Sequence, residues 1–304
     1  MRPALQIILI TAIFVGLYPL LRSLPDAQCN FLHYDYKGET DEGTELCGLD
    51  NSAVFLDLQR VRFPVRARLE SATPPHINEA VTLTLDLTMP DGRPLAVEEL
   101  AVVHTKKLHL FVISPNLKDY HHLHPQPVDT PGRYQFTLTP QYPGRYTVFA
   151  ECVPLRSASI VIAQTDFDVR GQKSTGIDSP LAQTLPQAIA DRYTFSLSLA
   201  DDKPWLCGTN QEFILRIIDR QGSEPLALTP VMGAYAHLVA FDEKRRGLAH
   251  MHPLNEGEGL GSPQAQFRFS LRTDSPGNYA IWAQIKLMGE ERFIPFSMTA
   301  VEDA

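Results

Sequence analysis

Hydrophobic positions in this chain fall into short runs separated by turn-forming residues, and within the runs they alternate instead of recurring at helical spacing. Ala80 to Leu87 reads AVTLTLDL, apolar at every second position, as expected of a strand with one buried face. Pro90-Asp91-Gly92 then makes a hairpin-type turn. Tyr134 to Leu138 (YQFTL), Pro143 to Ala150 (PGRYTVFA) and Ile160 to Val169 continue the series. Short strands at intervals of about ten residues, divided by Gly and Pro turns, predict a β-sandwich.

The series then starts again. Residues 171–190 lose the rhythm and read as a linker. Beyond them Phe213 to Ile218 answers the first alternating strand, Arg220-Gln221-Gly222 answers the turn, Phe267 to Leu271 answers Tyr134 to Leu138, and Pro276 to Ala283 answers Pro143 to Ala150. A self-similar order over about a hundred residues marks a tandem repeat. The expected organisation is all-β: two tandem sandwich domains, residues 63–170 and 191–304, behind an N-terminal segment.

Two apolar runs do not alternate. LHLFVIS around His109 and AYAHLVAF around His237, rich in apolar and β-branched residues, each read as a buried strand. Each opens a stretch that the other matches without a gap: LHLFVISPNLKDYHHLHP from Leu108 to Pro125, and AHLVAFDEKRRGLAHMHP from Ala236 to Pro253. Both contain His, twelve residues, His, one residue, His, then Pro. Side chains two apart project from one face of an extended chain, so His122 pairs with His124 and His250 with His252. If the return segment pairs with the preceding strand, His109 faces the first pair and His237 the second. Three converging imidazoles make a candidate metal site, because imidazole is the commonest metal-binding side chain. The candidate ligands are His109, His122 and His124 in one repeat and His237, His250 and His252 in the other. His121 and His104, with no histidine counterpart, read as exposed. Met251 points to the opposite side of its strand.

The N-terminus changes the picture of location. Ala4 to Leu21 carries no charge and follows Arg2, which suits an uncleaved membrane anchor over residues 1–22, with secretion after signal cleavage as the alternative. The bulk of the chain is then expected outside the cytoplasm. Residues 23–62 hold Cys29 and Cys47 among polar residues, and exported chains keep disulfides. Pairing of these two leaves Cys152 and Cys207 to bridge the repeats. The formal net charge of −8, without a long basic run, argues against nucleic acid as a partner.

The order of alternating strand, His-containing strand, His-x-His-Pro and Pro-Gly-x-Tyr resembles the YtkA-like family of exported bacterial domains. That resemblance implies an immunoglobulin-like sandwich in each repeat, a ligand role for the six histidines, and an association with copper handling. Ligand type alone leaves copper, zinc, nickel and iron open; copper leads through the resemblance, with zinc as the alternative and a metal-donor or metal-acceptor protein as the implied partner. Blue copper is disfavoured, because neither Cys152 nor Cys207 has a histidine shortly after it.

Catalysis is the less favoured class. No Gly-x-Ser-x-Gly elbow, phosphate-cradling Gly loop or His-Glu-x-x-His helix is present. Glu151 stands where a zinc hydrolase would want a general base, but Gln284 occupies that place in the second repeat. The competing reading is a structural or partner-binding tandem sandwich whose histidines order a loop or sense pH.

Overall fold

A computed structural model describes residues 3–22, 34–48, 52–172, 186–201, 203–222 and 224–303. The chain divides into two compact units, Met1–Asn30 and Phe31–Ala304. The first contains the helix Pro3–Arg22, formed on the uncharged run with Pro19 inside it. Among the described residues no helix is long and apolar enough to cross a membrane, so the expected anchor finds no span there. Cys29 and the side chain of Cys47 lie outside the described residues, and their expected pairing with them.

The second unit is β throughout, apart from one short 3-10 turn among its described residues. The first repeat contains β1 (Arg66–Ser71), β2 (Val81–Thr88), β3 (Leu108–Ile113), β4 (Tyr120–Leu123), β5 (Arg133–Leu138), β6 (Gly144–Cys152) and β7 (Val161–Val169). The second repeats the order with β8 (Tyr193–Leu199), β9 (Gln211–Asp219), β10 (Ala236–Asp242), β11 (Gly247–Met251), β12 (Gln264–Arg272), β13 (Gly277–Leu287) and β14 (Glu290–Val301). In each repeat two sheets enclose a core. The first repeat sets the sheet β1-β2-β5 against β7-β6-β3-β4, and the second sets β8-β9-β12 against β14-β13-β10-β11. Alternation builds these cores as the sequence pattern requires: Val81, Leu83, Leu85 and Leu87 point inward from β2 while the intervening threonines and Asp86 face out.

The Pro-Gly-x-Tyr turns pin one end of each sandwich. Gly144 (φ 113°) and Gly277 (φ 140°) take backbone angles that side-chain-bearing residues rarely adopt. The tyrosine that follows closes the corner. Tyr146 accepts the Tyr142 N–H at 3.0 Å and donates to Asp119 at 2.6 Å, and Tyr279 donates to the Ser275 carbonyl at 2.8 Å.

The two non-alternating runs are β3 and β10, and a third apolar cluster explains them. Leu108, Leu110 and Val112 enter the first core, while Phe111 and Ile113 point the other way and meet Val239 and Phe241 of β10. Tyr120, Phe149, Leu248 and Trp282 complete this layer. The sheets carrying the histidines therefore pack face to face, and each is covered on both sides. Fully burying an aromatic of this kind is worth about 1.5–3 kcal/mol, which binds the repeats into one body. Arg245 reinforces the contact by donating to the Arg145 carbonyl at 2.7 Å and to Thr147 at 3.1 Å.

The segment before the first repeat belongs in part to the second. Ser52–Val54 runs parallel to β12, and Leu56–Asp57 pairs antiparallel with β11. Gly247 is required there, since a Cβ at that position meets the Leu56 carbonyl. A hairpin, Tyr34–Thr40 with Gly43–Gly48, attaches instead to the first repeat through Leu46 N–H to Val102 O and Val102 N–H to Thr44 O.

The expected bridge between Cys152 and Cys207 is not formed; both thiols are free. Alternation along β6 turns Cys152 into the first core, whereas Cys207 packs against the second. Neither faces the boundary between them.

Candidate metal centre

The histidines project from the outer faces of the sheets that meet. β3 pairs with β4 in the register Leu110 to Leu123, which continues to His109 opposite His124, and Phe111 stands opposite His122. In the second repeat Leu238 pairs with Met251 and Val239 with His250, and the register continues to His237 opposite His252. Each triad, His109-His122-His124 and His237-His250-His252, brings one ligand atom per residue to within 4.8 Å of the others. His-x-His placed the pairs on one face, and the strand return set the third ring beside them.

In four of the six rings, those of His109, His122, His237 and His250, the nitrogen facing away from the centre meets a protein partner. His109 Nε2–H donates to the Val103 carbonyl at 3.0 Å, and His237 Nε2–H to the equivalent Val231 carbonyl at 2.7 Å. His122 Nδ1–H donates to Gln284 Oε1 at 2.7 Å; the Gln284 amide in turn donates to Glu291 at 3.0 Å, which settles which end of it faces the ring. Lone pairs therefore remain on His109 Nδ1 and His122 Nε2, and these atoms face each other at 3.1 Å. Two lone pairs at that distance repel unless a proton or a cation lies between them. Nitrogens tetrahedrally bound at about 2.0–2.1 Å stand about 3.3 Å apart, close to the observed spacing. His124 Nε2 in this triad, and His237 Nδ1, His250 Nε2 and His252 Nε2 in the other, are buried without a hydrogen-bond partner. Buried polar atoms are normally satisfied, so this set fits a metal ion. Where a protein group holds the far nitrogen, as for His109, His122 and His237, it fixes tautomer and ring orientation, as such groups do around bound metals.

The repeats hold one another's ligands. Gln284 of β13 holds His122, and Glu151 of β6 holds His250, with His250 Nδ1 3.0 Å from Glu151 Oε1. Glu151 and Gln284 occupy the same place in the repeat, each opposite the first histidine of its own triad: Glu151 across from His109, Gln284 across from His237.

Burial keeps the imidazoles neutral. It lowers His122 to about 3 and His124 and His237 to about 4, and holds His109, His250 and His252 well below the usual histidine range; neighbouring imidazoles add to the effect for all of these but His237. Burial also pushes the Glu151 carboxyl up, to about 8.

Two expectations about the remaining histidines change. His104 is not exposed; its ring stacks on His252, centroids 3.5 Å apart and planes 18° apart. It sits with Thr105 in a turn where both take positive φ (50° and 67°), and Met232 and Gly233 form the matching turn of the second repeat (51° and 82°). A β-branched residue such as Thr is an outlier in that region. The turn is held because Val103 and Lys106 exchange backbone hydrogen bonds. His104, Met232 and His252 line one open cleft of about 690 Å³. The gap-free match of the repeats aligns His104 with Met232, two metal-ligand residue types, and that was the available signal. His121 is only half-buried and lies 3.1 Å from Asp119, turned to the side opposite His122. Met251 is buried in the second core, away from the triad.

The family described as a domain of unknown function (DUF8832) matches residues 64–171 and, a second time, residues 187–302. No match to the YtkA-like family accompanies it, and the two-copy architecture is the common ground. No curated protein matches the chain. Among solved structures the chain is similar to a superoxide reductase (neelaredoxin) from Ignicoccus hospitalis, at 10% identity over 34% of this chain and 80% of that one, with a TM-score of 0.24. It is also similar to the PKD domain of an M14-like peptidase from a Thermoplasmatales archaeon, at 12% identity over 35% and 94%, with a TM-score of 0.22. Dimeric latent PorU from Porphyromonas gingivalis aligns at 11% identity over 86% and 26%, with a TM-score of 0.27. Likenesses this weak carry no functional argument.

Proposed function

We propose that this chain, which belongs to the DUF8832 family and carries its domain in two copies, binds metal ions on its two histidine triads and serves metal handling or delivery. The observation that carries the reading is the facing pair His109 Nδ1 and His122 Nε2, with lone pairs 3.1 Å apart and a third free imidazole nitrogen beside them. Copper is our first choice and zinc the second: an all-imidazole set suits both, and divalent copper stands highest in the affinity order of first-row ions. The open cleft beside His252 offers a route for exchange with a donor or acceptor protein. We read the sandwiches as immunoglobulin-like, supported by their strand order and tyrosine corners. We place the chain outside the cytoplasm, with Ala4 to Leu21 as its export signal.

Titration of the metal-free protein with Cu(I), Cu(II) and Zn(II), followed by elemental analysis, tests the reading. Two equivalents are expected. Replacing His122 and His124 by alanine should remove one, and replacing His250 and His252 the other. No uptake of any of these ions at neutral pH would return the histidines to structure. One observation favours that second reading: His122–Gln284 and His250–Glu151 already tie the repeats together without an ion. On it, the alanine variants would lose stability and no metal.

A further inference from the structure

One site per repeat suggests two independent ions, but the interface places the triads in one cluster. His122 and His250, from different triads, have ring centroids 5.5 Å apart, and His109 and His250 are 5.7 Å apart. An ion bound about 2 Å beyond a ring nitrogen lies roughly 3 Å from that ring's centre, so ions on the two triads lie within about 12 Å of each other. The supports are shared as well. Glu151 stands opposite His109 and contacts His250; Gln284 stands opposite His237 and holds His122. Each supporting side chain therefore touches the ligand set of one triad and rises from the strand neighbouring a ligand of the other.

Resting on the metal-binding reading above, we infer that the two triads form a single coupled two-ion centre in which filling one weakens the other. Like charges repel strongly in a buried interior, where little water intervenes to screen them. Glu151 is the one carboxylate in hydrogen-bond contact with the six histidines among the described residues, so at most one negative charge there backs two cations. The near-symmetric construction means that the triads need not differ intrinsically for their ions to bind unequally.

The test is calorimetric titration of the full chain with Zn(II), together with His122→Gln/His124→Gln and His250→Gln/His252→Gln. The wild type should bind in two steps separated by about 5- to 150-fold in Kd. Each variant should bind one ion with the tighter of the two affinities, because its neighbour site is gone. Two equal steps in the wild type overturn the inference, and so does one tight variant with one weak variant, the mark of unequal independent sites. A second measurement needs no variant: spin resonance of the wild type with one and then two equivalents of Cu(II). Dipolar broadening should appear with the second ion; its absence overturns the inference while leaving metal binding intact. No uptake at all overturns both readings together.

Discussion

His250 and Glu151 meet across the boundary between the two repeats at 3.0 Å, and His122 meets Gln284, the residue in Glu151's place, at 2.7 Å. The interface is thus built from the same polar contact made twice in opposite directions, set at the edge of an aromatic layer containing Phe111, Phe241 and Trp282. The one chemical difference between the two contacts, carboxyl against amide, has measurable consequences.

Glu151→Gln copies the second repeat's chemistry into the first. Burial raises the Glu151 carboxyl from its ordinary 4.5 to about 8. Because the folded value lies above the unfolded one, the associated stability is fully present below pH 4.5 and is lost as pH rises through about 8. The urea midpoint of the metal-free wild type should fall between about pH 6 and pH 9, and that of the variant should change less. Equal changes in both would show that Glu151 is ionised in the fold.

The buried imidazoles act at the other end of the pH scale. The folded values of His122 (about 3), His124 and His237 (about 4) lie below the unfolded 6.5. Stability is therefore present above about pH 6.5 and is lost as pH falls from there toward 3–4, the unfolded chain taking up protons first. Metal-free protein should weaken steadily over this window in denaturant titrations. Metal uptake, by contrast, should persist somewhat below pH 6.5, since the folded imidazoles stay neutral there. Loss of binding centred on 6.5 with the fold intact would contradict the burial.

His104→Asn tests the stacked ring over His252. Asparagine tolerates the positive φ of position 104, so the turn should survive and stability change by less than about 1 kcal/mol. Two equivalents of metal should still bind, but release to a competing chelator in stopped-flow should be faster than in the wild type. An unchanged release rate would remove His104 from the path to the triads.

The aromatic layer sets the cost of parting the repeats. Phe241→Ala should destabilise the protein by about 3–5 kcal/mol, as large-to-small core changes do, even though Phe241 lies outside both sandwich cores. Residues 64–171 produced alone should expose Phe111, Ile113, Tyr120 and Phe149, bind a hydrophobic dye and self-associate. A monomeric, dye-free fragment would mean that this layer contributes little.

Local periodicity was enough for much of this protein. Alternation in Val81 to Leu87 determines which face of β2 is buried, and His-x-His determines that His122 and His124 share a face, because an extended chain turns each side chain over from the last. The apolar runs at His109 and His237 already read as buried strands. What covered them was decided only by tertiary packing: the outer faces of the two sheets bury one another, since no pattern within either repeat names its partner. The same packing turned Glu151, the residue in Gln284's place in the first repeat, into the support of His250, and His104 from a surface histidine into the ring stacked on His252. It also laid Ser52 to Asp57 on the second repeat before the chain had begun the first. Each is a contact between residues distant in sequence, fixed by the shapes of two finished sandwiches and carried by no local spacing.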